Sequence, residues 1–210
     1  MTTMIGFSDT EKSTSAVLQD VIDSLHDEHV TLRQILERMG ESGLLLLCGL
    51  LALPFLVPVS LPGVSTVFGA GIVLIGIAIT FNRFPWLPEK VADRKLERAR
   101  LVPVLERGLK ILRKVDRYVR PRLLGLTAGA VINRINGLVL TAAGVLLMMP
   151  LSFIPFSNTL PGVAILFLST GISQRDGAVV AIGHLLVVLT LIYFTAIAYA
   201  AIAAGQNLLG

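Results

Sequence analysis

The sequence predicts an all-α integral membrane protein with two proline-broken helical hairpins, one C-terminal transmembrane helix and interfacial amphipathic helices. The 210-residue chain is 54% hydrophobic with a mean hydropathy of +0.77, and only 15% of it is charged, against about a quarter in soluble domains. No Asp, Glu, Lys or Arg occurs in 44–81, 135–174 or 177–210, and a spanning helix needs roughly 20 apolar residues. Prolines interrupt the first two stretches in a matching pattern that ends in Leu-Pro-Gly, at 53–63 and 149–162.

The two interruptions, called the elbows here, divide each apolar stretch into short helices, because proline lacks the backbone donor that an α-helix needs. These helices are too short to cross a hydrocarbon core of about 30 Å, which favours re-entrant hairpins in a pseudo-repeat. Four tilted spans with tight Pro-Gly turns are the alternative, and the repeat is either parallel or inverted. The predicted segments are the cytoplasmic amphipathic helices 1–43, the first hairpin 44–81, the basic interfacial segment 82–134, the second hairpin 135–174 and the C-terminal transmembrane helix 175–210.

The first segment reads as amphipathic helix. One apolar stripe consists of Val17, Leu18, Val21, Ile22 and Leu25. Thr31 followed by Gln34 fits a capping box that starts a second helix, whose apolar face continues to Gly40. This acidic element either docks on the basic segment or serves as a simple interfacial anchor.

The central segment is strongly basic, with 14 Lys and Arg against 5 Asp and Glu in 82–134. Positive loops stay in the cytoplasm, so this segment should lie inside. A basic amphipathic helix is predicted over 104–120, bracketed by Pro103 and Pro121 and suited to anionic lipid head groups. Nucleic-acid binding is the competing interpretation, and the membrane context disfavours it. The predicted membrane-surface residues are Trp86, Arg107, Lys110, Arg113, Lys114, Arg117 and Arg120.

The elbows are the first candidate functional site. Broken helices expose backbone amides and carbonyls that can hold an ion or a polar head group. The alternative is architectural: proline and glycine make the bends, and hydroxyls satisfy the loose backbone. The candidate residues are Pro58, Ser60, Pro62 and Gly63 in the first elbow, and Pro155, Ser157, Pro161 and Gly162 in the second.

Three further positions carry ionisable groups next to apolar stretches. Arg83 either anchors the chain at the interface or holds an anionic head group at the mouth of the first hairpin. Arg175 and Asp176 form either an ordinary surface turn or a buried, functional ion pair. His184, inside the last apolar stretch, is a functional candidate or a neutral side chain hydrogen-bonded between helices.

Enzymatic signatures are absent from the sequence: it has no G-x-S-x-G, no H-E-x-x-H, no phosphate loop and a single cysteine. His26 and His29 lack a clear third ligand, so they read as surface residues rather than as a metal site. We therefore expect no enzymatic activity, no cofactor and no metal.

The order of these motifs resembles the ExoD family of bacterial exopolysaccharide-synthesis membrane proteins. It comprises Gly40-Glu41-Ser42-Gly43, LPFLVPVSLPG, Phe68-Gly69, Arg83, Pro85-Trp86-Leu87-Pro88, a basic helix, a second proline-rich break and Arg175-Asp176-Gly177. The resemblance spans about residues 15–205 and implies a multi-pass protein of the bacterial inner membrane linked to exopolysaccharide production. It supplies no catalytic residues.

Three functions are compatible with these features. The first is transport or translocation of a lipid-linked or anionic substrate through the elbows. The second is a non-transporting assembly or regulatory role, in which the amphipathic helices bind polysaccharide-biosynthesis proteins or a second copy. The third, an enzyme acting on a lipid-linked sugar, lacks an acid–base pair beyond Asp176 and His184. Anionic lipid head groups are expected partners in any of them.

Overall fold

Helices make up nearly all of the computed structural model, which describes residues 14–25, 29–56, 63–83, 85, 93, 95–149, 154 and 156–209. Two short strands, β1 (His29–Thr31) and β2 (Lys95–Glu97), pair antiparallel. Single 3₁₀ turns span Leu53–Leu56 and Leu124–Leu126. The helices are α1 Thr14–Ser24, α2 Leu32–Ala52, α3 Val64–Thr80, α4 Arg98–Tyr118, α5 Ala130–Met148, α6 Thr159–Ser173 and α7 Gly177–Leu209.

Three helical segments in the described part of the chain are long and apolar enough to cross a membrane: Arg33–Leu56, Ala130–Met148 and Gly177–Ala204. Helices α3 and α6 are apolar but shorter, with 17 and 15 residues. The prediction of an all-α membrane protein is confirmed at this level.

Glycines set the packing of α3 against α5. A Cβ added to Gly69 would lie 3.0 Å from the Gly144 carbonyl oxygen, and one added to Gly137 would lie 2.9 Å from the Gly76 carbonyl oxygen. The residue numbers of the contacts in α5 fall as those in α3 rise, so the two helices are antiparallel. Small residues let backbones approach this closely. Helices in a membrane associate through such close packing, because the hydrophobic effect does not drive their association in lipid.

Helix α6 packs antiparallel to both α2 and α7. A Cβ on Gly162, in the first turn of α6, would lie 2.9 Å from Phe55 Cβ, just after α2, whereas one on Gly49 would lie 3.2 Å from Ser169 Oγ. A Cβ on Gly171 would lie 2.7 Å from the Val180 nitrogen of α7. The apolar core therefore runs along α2, α3, α5, α6 and α7.

Helices α2 and α5 end, and α3 and α6 begin, at the same end of this bundle. Phe55, which follows α2, contacts Gly162 of α6 and meets the Phe68 ring of α3 edge-on at 6.0 Å. Gly69, near the start of α3, lies against Met148 at the end of α5. We call this the elbow end; at the opposite polar end, α3 and α6 terminate and α5 and α7 begin.

A second apolar cluster lies at the polar end, where α1 docks on α4. The predicted stripe of Val17, Leu18, Val21, Ile22 and Leu25 is buried, and it packs with Leu109 and Leu112 of α4. The predicted capping box is confirmed, because Thr31 and Gln34 exchange side-chain-to-backbone hydrogen bonds at the start of α2. Of the two alternatives for the N-terminal segment, the structure favours docking on the basic helix.

Three helix boundaries differ from the expected ones. Helix α2 continues through residues 43 and 44 and instead bends at Gly40, whose φ of 59° is accessible to glycine. Pro103 lies inside α4 rather than in front of it. Pro161 and Gly162 lie in the first turn of α6, where proline is tolerated because the first backbone donors have no helical acceptor.

Candidate functional site

The elbows are only partly within the described residues. Pro58, Ser60 and Pro62 of the first elbow and Pro155 of the second lie outside them, as do Trp86 and His26. The described elbow residues are Gly63, Ser157, Pro161 and Gly162. Gly63 is exposed, with φ of +80° and nothing within 4 Å of a Cβ placed on it. Ser157, Pro161 and Gly162 are buried.

Two helix N-termini lie at the elbow end. Gly63 is the N-cap of α3 and has no side chain to offer, and the Asn158 side chain at the N-cap of α6 makes no capping hydrogen bond. In the first turn of α6, Leu160 N donates to the Phe156 carbonyl at 3.0 Å, and Pro161 has no N–H. Each helix directs the positive end of its dipole toward this region. Such paired N-termini attract an anionic group.

Arg83 lies at the other end of α3, about 26 Å from Gly63 for a helix of 17 residues. It is exposed and follows Asn82, whose φ of 51° lets Arg83 N donate to the Ala78 carbonyl at 2.8 Å. Helix α6 ends in the same way: Arg175 has φ of 54°, and Asp176 N donates to the Gly171 carbonyl at 2.8 Å. Arg83 and Arg175 are thus both at the polar end.

Asp176 is the most buried charged side chain of the polar end, with none of its surface exposed. It caps α7, because its Oδ1 accepts from Ala178 N at 3.0 Å and Val179 N at 3.3 Å. Its ion-pair partner is Arg122 rather than Arg175, with Nε 2.8 Å from Oδ1. The surface-turn interpretation of Asp176 was therefore wrong, since an N-cap carboxylate with a guanidinium partner can be buried.

Opposing effects act on the pKa of Asp176. Burial raises that pKa, but the hydrogen bond from Arg122 and three backbone N–H donors outweigh burial and hold the pKa below its usual value. The carboxylate is therefore charged at neutral pH and fixes the loop before α5 to the turn between α6 and α7. The backbone completes this link: Arg122 N donates to the Arg175 carbonyl at 3.3 Å, and Gly177 N donates to the Arg122 carbonyl at 2.7 Å.

A second polar group ties α1 and α4 to the end of α6. Asp116 of α4 accepts hydrogen bonds from the Ser15 hydroxyl and from the Gln174 side-chain amide. Thr14 is buried and its hydroxyl lies 3.2 Å from the Ser173 carbonyl. These contacts connect helices α1 and α4 directly to the end of the apolar helix α6.

His184 lies about two turns into α7 and is half-buried. Its Nδ1 lies 2.9 Å from the Val180 carbonyl, so Nδ1 carries the donated hydrogen. This bond is within α7, whereas the sequence favoured a bond between helices. His184 is not brought to any of the four described elbow residues, Gly63, Ser157, Pro161 and Gly162.

The basic residues of α4 lie on its free face. Arg107, Lys110, Arg113, Lys114 and Arg117 are exposed, and so is Arg120 just after the helix. Arg113 also donates to Gln19 of α1 at 3.0 Å. Because the apolar face of α4 is buried against α1, only its charged face remains available to a membrane or a partner.

Sequence reasoning missed four polar residues of this end: Thr14, Asp116, Arg122 and Gln174. Their partners are far away in the chain, 54 residues for Arg122 and Asp176 and 159 for Thr14 and Ser173. The only local signal was an Asp immediately before a long apolar run, which is an N-cap pattern.

Comparison with known proteins gives a consistent result. The family model described as "Exopolysaccharide synthesis, ExoD" matches residues 14–196. Protein ExoD of Rhizobium meliloti (strain 1021) is 56% identical over 204 residues, which cover 97% of this chain and 85% of the relative. An uncharacterized protein of Synechocystis is 26% identical over 171 residues, which cover 81% of this chain and 79% of the relative. No solved structure gives a significant match.

Proposed function

The chain belongs to the ExoD family of exopolysaccharide synthesis proteins, and on that premise we propose that it moves a lipid-linked or other anionic substrate across the bacterial inner membrane. It does so as a non-enzymatic, multi-pass protein whose two hairpins form a parallel pseudo-repeat. The N-termini of α3 and α6 hold the anionic head group, and the hydrophobic tail stays in lipid.

The observation that carries this proposal is the presence of two N-termini, neither capped by the side chain of its N-cap residue, at one end of the bundle. A head group that crosses hydrocarbon loses its hydration, and the positive ends of two helix dipoles compensate part of that loss. Phe55 contacts both Phe68 of α3 and Gly162 of α6, which supports a single site shared by the two N-termini.

Helix lengths support elbows that stop inside the membrane. Helices α3 and α6, with 17 and 15 residues, measure about 26 and 22 Å. A hydrocarbon core is about 30 Å thick. Re-entrant hairpins that start from the polar end would thus hold a head group a few ångströms below the far surface, within reach of water on that side.

The direction follows from charge. The basic segment 82–134 favours a cytoplasmic polar end, so the elbow end faces the periplasm. Exposed arginines at the polar end, Arg83 among them, attract an anionic head group on the cytoplasmic side.

The experiment is to measure lipid-linked polysaccharide precursor on each membrane face, in cells that lack this gene and in cells that carry it. We expect precursor to accumulate on the cytoplasmic face without the gene, with its synthesis unchanged. An unchanged distribution together with reduced polymer would refute translocation.

A second candidate function has its own support. The contacts of Thr14 and Asp116 with the end of α6 couple the cytoplasmic helices to the membrane bundle, as a non-transporting assembly or regulatory protein requires. Neutralising Arg113, Arg117 and Arg120 to Gln should then abolish polymer more completely than any elbow substitution. Normal polymer in that triple variant would count against this candidate.

A further inference from the structure

We propose that the loop after α4 inserts Leu123, Leu124 and Leu126 into the membrane and thereby seats the basic face of α4 on anionic phospholipid. This loop, residues 119–127, is called the leucine loop below. It lies beyond the translocation site and would act in the same way if the protein transports nothing.

The first step is the exposure of large apolar side chains in a loop. Leu123 is 62% exposed and Leu124 50% exposed, and Tyr118 at the end of α4 is 78% exposed. Leu126 is exposed as well. Adjacent exposed leucines are unfavourable in water, and such patches mark surfaces that contact a membrane or a partner.

The second step is that the loop is held in this conformation. Leu123 has φ of 49°, which branched apolar side chains seldom adopt. Hydrogen bonds fix the loop on both sides of it: Arg122 is bound to Asp176 and Gly177, and Asn136 Nδ2 donates to the Leu126 carbonyl at 2.9 Å. The leucines are therefore presented outward by a fixed backbone.

The third step is the depth of the loop. Gly177, which bonds to the Arg122 carbonyl, is the first residue of the span Gly177–Ala204. Asn136, which bonds to Leu126, is the second residue of the uncharged stretch 135–174. The leucine loop is thus level with the starts of two uncharged apolar stretches, at the depth where head groups meet hydrocarbon.

The fourth step is charge. Arg113, Lys114, Arg117 and Arg120 precede the loop and are exposed. The apolar face of α4 cannot provide the membrane contact, because Leu109 and Leu112 are buried against α1. Apolar insertion must come from elsewhere, and the leucine loop directly follows the basic face. Each basic residue near an anionic surface strengthens binding about fivefold.

The experiment uses the full chain in nanodiscs, with a nitroxide label on Leu124→Cys and, separately, on Leu126→Cys. Buried Cys48 is retained, and labelling of the unsubstituted protein gives the blank. Glu37→Cys, exposed on α2, is the matched control. Label accessibility to oxygen and to a water-soluble nickel chelate is compared in phosphatidylcholine discs with and without phosphatidylglycerol.

We expect both loop labels to favour oxygen over nickel in both discs, and more strongly with phosphatidylglycerol, while Glu37→Cys favours nickel in both. Arg117→Gln should reduce the extra protection that phosphatidylglycerol gives, because each basic residue near an anionic surface strengthens binding. Loop labels that favour nickel in every disc would overturn the proposal, and equal protection in both lipids would overturn its anionic specificity. Protection in native membranes but not in discs would indicate a protein partner and would also overturn it.

Discussion

Removal of the Asp176 carboxylate should destabilise the protein in two separable steps. Asp176→Asn keeps one oxygen that can cap α7, but it loses the charge and puts an NH2 donor in place of Oδ2, so the Arg120 N–H, now 3.2 Å from Oδ2, loses its acceptor. These losses cost about 1–2 kcal/mol. Asp176→Ala also loses the cap, worth about 1 kcal/mol. The total for Asp176→Ala is about 2–4 kcal/mol. The solvent-exposed Arg122 guanidinium can be rehydrated in either variant, so it adds little.

The single cysteine provides the assay. Cys48 is fully buried in the bundle core, so a thiol-reactive fluorophore reports its exposure as detergent-solubilised protein is heated. At about 2–4 °C per kcal/mol for a chain of this size, the Tm should fall by about 2–8 °C for Asp176→Asn and about 4–16 °C for Asp176→Ala. Glu106→Gln on the exposed surface of α4 should leave it unchanged. Equal Tm values for both Asp176 variants and the wild type would refute the reasoning.

Three further outcomes are expected in the same assay. The folded pKa of Asp176 lies below its usual value, so the stability that its carboxylate contributes is complete above about pH 4 and is lost as pH falls through the folded pKa. The Tm difference between wild type and Asp176→Asn should therefore vanish only in acid. Loss of that difference near neutral pH would contradict this. Gly137→Ala should cost about 1–3 kcal/mol by forcing α3 and α5 apart, whereas Gly125→Ala, with nothing within 4 Å, should cost little; equal effects would contradict the packing. Phe55→Ala, which opens the contact between the two hairpins, should cost about 3–5 kcal/mol, and an unchanged Tm would contradict its role.

Local patterns in the sequence predicted much of the fold. The stripe from Val17 to Leu25 predicted α1, and the Thr31 and Gln34 pair predicted the start of α2, because both signals lie within a few residues of one another. Uncharged stretches predicted the membrane helices, since length and hydropathy are sums over neighbouring residues. The start of α4 was predicted too late in the chain, after Pro103. A proline near the start of a helix removes few backbone hydrogen bonds, and packing against α1 stabilises the helix around it.

Contacts between residues far apart in the chain could not be predicted from the sequence. Nothing near Arg122 indicates that it pairs with Asp176, and nothing near Gly137 indicates that Gly76 approaches it, because both contacts depend on how the helices pack. The repeat of the two hairpins was read from their prolines, but its orientation was left open. The contacts of Phe55 with Phe68 and Gly162 bring both turns to one end.

The central claim is that an anionic head group binds between the N-termini of α3 and α6. Gly63 tests it most directly, because its positive φ is tolerated by Asn and Asp and the added side chain meets nothing within 4 Å. Gly63→Asn and Gly63→Asp differ in charge alone, so both should reach the membrane at equal abundance. Both side chains can cap α3, but only Asp adds a negative charge that repels an anionic head group. We predict that Gly63→Asp traps lipid-linked precursor on the cytoplasmic face more completely than Gly63→Asn; equal precursor distributions in the two variants would contradict the account.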